Sequence, residues 1–140
     1  MPRLKPIPSE PLKADRDLVS RMRVVRVAGE LLDVSWFDAE IVVANPITVI
    51  VAGQLYSAVA SISANLKEGY SRSSGRDRAR FFEYALGSAR ETEVWYEASK
   101  RLLTSDVLEA RANSLAEIKR LLLAVIPRER DRVIRPRARR

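Results

Sequence analysis

Apolar residues recur along this chain at three- and four-residue steps, the spacing of a helix with one buried face. Leu18, Met22, Val25, Gly29, Leu32 and Trp36 predict a first helix from about Leu12 to Phe37. Phe82, Ala85, Leu86, Ala89, Tyr96 and Leu103, flanked by Phe81, Trp95 and Leu102, predict a third over about 75–103. Leu108, Ala112, Leu115, Ile118, Leu122 and Val125 predict a fourth, capped at Thr104, Ser105 or Asp106 and stopped by Pro127. Arg111, Glu117 and Arg120 read as ordinary surface residues of this last helix.

The segment 41–66 holds no charged side chain. Its β-branched runs, Ile41-Val-Val and Ile47-Thr-Val-Ile-Val, favour strand by propensity. Against this, Asn45-Pro46 suits a helix N-cap and first turn. Ile47, Val51, Leu55, Val59, Ile62 and Leu66 then keep a helical step, which predicts a second helix over about 46–68. Some twenty uncharged residues are also enough to cross a bilayer. Gln54, Ser57, Ser61, Ser63 and Asn65 favour a buried helix instead, with one face for its own core and another for a neighbouring subunit. Gly69 suits a left-handed C-cap of this helix, and Ser74-Gly-Arg-Asp77 has the spacing of a capping box opening the next. Short connections make the economical fold all-α, an antiparallel up-down-up-down four-helix bundle over residues 12–127.

Both ends differ from this body. Pro2, Pro6, Pro8 and Pro11, four of seven prolines, predict an extended arm over residues 1–11, either a loose terminus or a contact for a neighbouring subunit. Residues 128–140 carry Arg128, Arg130, Arg132, Arg135, Arg137, Arg139 and Arg140 against Glu129 and Asp131, so this segment supplies +5 of the chain's formal +7. It reads as a flexible tail, either a contact for phosphate or another acidic surface, or a solubilising end. The 140 residues contain neither histidine nor cysteine. Without histidine the commonest general base and metal ligand are missing, and with them the ferritin-like di-iron motif. No cofactor or enzymatic activity is expected. The lack of cysteine and of an N-terminal apolar run fits the cytoplasm.

Two segments carry a resemblance. Ser61-Ile-Ser-Ala-Asn-Leu-Lys-Glu-Gly69 and Ala85-Leu-Gly-Ser-Ala-Arg-Glu91 resemble the paired motifs of the 23S rRNA intervening-sequence proteins, with Gln54 upstream also matching. The likeness covers roughly residues 50–103, and Ser63, Lys67 and Leu86 depart from the family's usual residues. What it implies is a four-helix bundle assembled with copies of itself into a ring, a pentamer by the resemblance. The family is similar in fold to the accessory protein of diversity-generating retroelements, which implies RNA and a reverse transcriptase as partner classes.

Candidate residues follow from both readings. Asn65, Glu68, Ser88 and Glu91 fall as pairs three apart on two helices, and predict a hydrogen-bonded polar layer fixing the register of helices two and three. Lys67, Arg72, Arg76, Arg78 and Arg80 cluster around a Gly/Ser turn, where helix-start N–H groups and guanidinium groups favour an anion. Tyr70 is placed to stack on an unpaired base. RNA or DNA is therefore the expected partner, with a protein-interaction scaffold as the rival.

Overall fold

The computed structural model describes residues 22–132, which form four helices and no strand. They are α1 (Arg23–Val43), α2 (Val49–Tyr70), α3 (Gly75–Ala98) and α4 (Ser105–Arg130). Each helix packs on its sequence neighbour, and α1 also meets α4 along the sparest of the four seams. The Pro-rich arm, the residues assigned to helix one before Met22, and Arg135, Arg137, Arg139 and Arg140 lie outside the described residues.

The core is aliphatic with one large ring. Leu31, Leu55, Ile62, Leu66, Phe82, Leu115, Ile118 and Leu122 are fully enclosed. The stripes read for the third and fourth helices hold where they matter most: Phe82, Ala85, Leu86, Ala89, Tyr96, Leu103, Leu115, Ile118 and Leu122 are all buried. In α1 the stripe is rotated. Val24, Val25, Ala28, Leu31, Ser35, Asp38 and Val42 face inward, whereas Trp36 is 52% exposed. Two polar side chains on the buried face explain the error, because they count as outward positions in any hydrophobic pattern.

Several boundaries move, and α3 ends at Ala98 rather than near 103. Ile41-Val-Val is helical, since packing Val42 into the core outweighs β-propensity. Asn45 does not cap α2. Its Oδ1 accepts from the Ile47 N–H at 2.9 Å, and Thr48 Oγ1 donates to the Val42 carbonyl at 2.7 Å. Together these bonds close a compact turn, and α2 starts only at Val49. Gly69 lies inside α2 with an ordinary negative φ rather than in a left-handed cap. Its missing side chain makes room for Phe82, whose ring carbon would lie 2.6 Å from an added Cβ.

At the end of α4 the helix passes through Pro127 to Arg130, so Arg128 and Arg130 are helical residues rather than the start of a tail. Pro127 gives up one hydrogen bond. The final turn is held instead by its neighbours: Arg130 pairs with Glu83, and the Glu129 side chain lies near Arg78. Gly75 permits this approach, because a Cβ there would stand 2.0 Å from the Glu129 carbonyl oxygen. The capping predictions hold for Ser74, which accepts from the Asp77 N–H at 3.1 Å, and for Thr104, which accepts from the Val107 N–H at 3.3 Å.

Candidate nucleic-acid interface

The turn between α2 and α3 and the last turn of α4 meet at one end of the bundle, through Gly75 beside Glu129 and Arg132. This contact gathers arginines that lie far apart in the sequence. Arg72 pairs with Glu68, Arg80 Nη2 approaches Asp77 Oδ1 at 3.8 Å, and Arg130 pairs with Glu83. Arg78 donates through Nε to the Arg72 carbonyl at 2.8 Å, fixing the turn, and lies 3.8 Å from Glu129. Arg132 reaches the same carboxylate at 3.5 Å. Among the described residues Lys67, Arg76 and Arg128 have no carboxylate within pairing distance. Arg76, Arg80, Glu83 and Arg130 line an open cleft of about 660 Å³.

Charge is concentrated here. Residues 67–83 and 128–140 contain twelve basic and five acidic side chains, a net +7 that equals the formal charge of the whole chain. The remaining residues balance to zero. Four of the twelve follow Arg132 in the sequence, and the chain enters that segment from this same end. Asp77 in the first turn of α3, and Arg128 and Arg130 in the last turn of α4, also match the helix dipoles.

Tyr70 is not the free stacking ring expected of it. It packs against Phe82 with ring centroids 4.7 Å apart. Burial raises its pKa, and the nearby Glu129 carboxylate adds to the rise. The exposed aromatic at this end is Tyr84, edge-on to Phe81 at 5.6 Å. Sequence periodicity could have found it, since Tyr84 falls opposite the buried Phe82, Ala85 and Leu86.

The polar layer is not formed within the chain. Asn65 Nδ2 donates to the Ser61 carbonyl of its own helix at 2.9 Å, and Glu68 pairs with Arg72. Glu91 accepts from Trp95 Nε1 at 3.2 Å on its own helix, and Ser88 only lends its carbonyl to Thr92 Oγ1. Glu68 and Glu91 are exposed and Asn65 and Ser88 half-buried, and each bond is made four residues along the chain rather than across to the other helix.

The polar anchor between helices lies elsewhere. Asp38 on α1 is almost completely buried and accepts from Tyr96 Oη on α3 at 2.7 Å. Arg111 on α4 grips the same carboxylate through Nε at 2.7 Å and Nη2 at 3.1 Å. Arg111 is therefore no ordinary surface residue. Burial and the hydrogen bond to Asp38 push the Tyr96 pKa well above its usual value, and the same bond raises that of Arg111. Both Asp38 oxygens and the Tyr96 hydroxyl have partners, so the cluster reads as a clamp joining three helices rather than a reactive centre.

A second surface stands out at the α1–α2 connection. Phe37, Ile41, Ile47 and Ile50 are more than half exposed, Ile47 to 89%, and an apolar groove of about 300 Å³ lies between Trp36, Val43, Gly53 and Tyr56. α2 is long and apolar enough to cross a membrane by length and composition. In the bundle its inner face packs against α1 and α3.

Against known proteins, the family model described as 23S rRNA-intervening sequence protein matches residues 48–124. The chain belongs to this family. A solved structure with the same layout is a protein of unknown function from the S23 ribosomal protein family of Bacteroides thetaiotaomicron VPI-5482. It is 27% identical, aligns with a TM-score of 0.69, and covers 74% of this chain and 97% of its own. Among curated proteins no relative matches. The matched span of the intervening-sequence family covers α2, α3 and most of α4. It includes Tyr96 and Arg111 but leaves out Asp38 and the Arg128–Arg132 turn, so the acceptor of the clamp and the α4 side of the basic end lie beyond it.

Proposed function

We propose that this intervening-sequence family protein is a non-enzymatic, self-assembling bundle that binds RNA or DNA through its basic end. The carrying observation is the placement of the whole formal charge on the α2–α3 turn, the end of α4 and the segment that follows. A polyanion is the partner that gains most from such a field, because each neutralised phosphate releases counterions. The internal carboxylates do not cancel the effect. They pair with individual guanidinium groups, hold them in place and leave the end net positive.

In this reading the helices run antiparallel, an order supported by the short connections and by the start of α3 lying against the end of α4. The exposed apolar surface at the α1–α2 connection favours association with further copies, and the ring arrangement is carried over from the family resemblance. The same surface favours a second reading, a scaffold that docks a protein such as a reverse transcriptase and makes no nucleic-acid contact.

Titration of labelled RNA and DNA oligonucleotides at increasing salt separates the two. The proposal expects affinity to fall steeply with salt. Truncation after Arg132 leaves the helices intact and removes four arginines, so the log–log slope should shrink by up to about 3 on single strands. Salt-independent association, or none, refutes nucleic-acid binding and leaves the scaffold. Light scattering in the same buffers, with and without the oligonucleotides, reports the protein's mass, and a monomer in both would refute self-assembly.

A further inference from the structure

The aromatic residues of the basic end are arranged for more than packing. On α3 the ring of Phe81 meets two guanidinium groups, Arg72 at 4.7 Å and Arg80 at 5.5 Å from its centroid. Tyr84 stands at right angles to Phe81 and is itself 52% exposed. The three-residue step from Phe81 to Tyr84 keeps both on one helix face. Beside them Arg76, Arg80 and Arg130, with Asp77 and Glu83, line the open cleft; its charge is a net +1 with Arg76 unpaired among the described residues, and Arg80 belongs to both groups. The pattern is thus a flat, water-exposed ring with a positively charged trough along its side.

From this geometry we infer that Tyr84, buttressed by Phe81, is a stacking shelf for an unpaired base of a single-stranded nucleic acid whose phosphates lie along Arg76, Arg80 and Arg130. The inference rests on the nucleic-acid reading above and specifies its substrate class. A duplex can use the arginines, but its bases are already stacked inside the helix and cannot reach a ring on the outside of α3. A single strand can use both. Contact with Phe81 holds Arg72 and Arg80 by cation–π attraction, so the guanidinium groups flanking the shelf are partly oriented before a strand arrives. Base–aromatic stacking tolerates any base, so little sequence preference is expected at this position.

Fluorescence anisotropy with a labelled single-stranded RNA dodecamer and with the duplex of the same sequence tests this on the full chain. Y84A should weaken single-strand binding about ten-fold. It should leave duplex binding and the salt slope unchanged. Y84F, which keeps the ring, should bind as the parent does. R76A combined with R80A should weaken both substrates and lower the salt slope by about 1 to 2. Helical circular dichroism of each variant checks that the bundle is intact. Equal single-strand affinity for Y84A and the parent, with binding still steep in salt, overturns the shelf while leaving the basic-end reading in place. Absence of binding to either substrate overturns both.

Discussion

At the scale of single residues, the Asp38 cluster is the place where one substitution should cost most. A buried carboxylate held by a bidentate arginine gains little over a well-packed apolar pair, yet breaking it strands the partner charge. D38A leaves the guanidinium of Arg111 and the hydroxyl of Tyr96 without their acceptor. It is expected to lower stability by about 3–5 kcal/mol, read as a lower urea midpoint with an unchanged slope. Y96F removes one hydrogen bond to a charged group and should cost about 1.5–3 kcal/mol. Its pH behaviour gives an independent check. The folded-state pKa of Tyr96 lies above that of the unfolded chain, so its contribution is complete below about pH 10 and declines as pH rises beyond that toward the folded value. The unfolded chain ionises this phenol first and is favoured there. Alkaline unfolding monitored between pH 9 and 12 should therefore show a component that Y96F lacks.

At the scale of helices, two glycines do opposite things. G75A places a methyl group against the Glu129 carbonyl, so the end of α4 must move away; the expected loss is about 1–3 kcal/mol. G53A meets nothing within the chain and should instead gain up to about 1 kcal/mol through helix propensity. Thermal melts of the two variants would show shifts of opposite sign. The same contacts explain how far the helices could be read from sequence. The apolar steps of α3 and α4 identified most of their core because their inner faces are mostly apolar, with Thr92 and Glu129 the buried polar exceptions. In α1, Ser35 turns inward and bonds back to the Leu32 carbonyl of its own helix, while Asp38 turns inward to meet other helices, and no local pattern shows that Tyr96 and Arg111 await it. Pro127 looked like a stop because the anchor of the turn beyond it, Glu83 paired with Arg130, is supplied from another helix. At the basic end the clustering of arginines was visible in the turn itself. Their carboxylate partners were visible only where they lie one helical turn away, as Glu68 does from Arg72. Tyr70 looked free to stack because its contact with Phe82, which withdraws it, comes from the next helix, whereas Tyr84 is the exposed ring at this end.

For the whole molecule, charge and apolar surface are segregated. The α1–α2 connection carries exposed Phe37, Ile41, Ile47 and Ile50, while the basic residues gather at the turn between α2 and α3 and the end of α4. Neutral stretches of α2 separate the two, with no charged side chain between Glu40 and Lys67. Such a chain is a strong electric dipole, and a polyanion would turn it in solution so that it arrives basic end first. Copies that associate side by side through their neutral flanks bring their like-charged ends together, and this repulsion opposes their union. A bound strand relieves it. By linkage, whatever draws the copies together must then tighten the hold on the strand by the same factor, so that assembly and binding reinforce one another with no change of shape in the bundle.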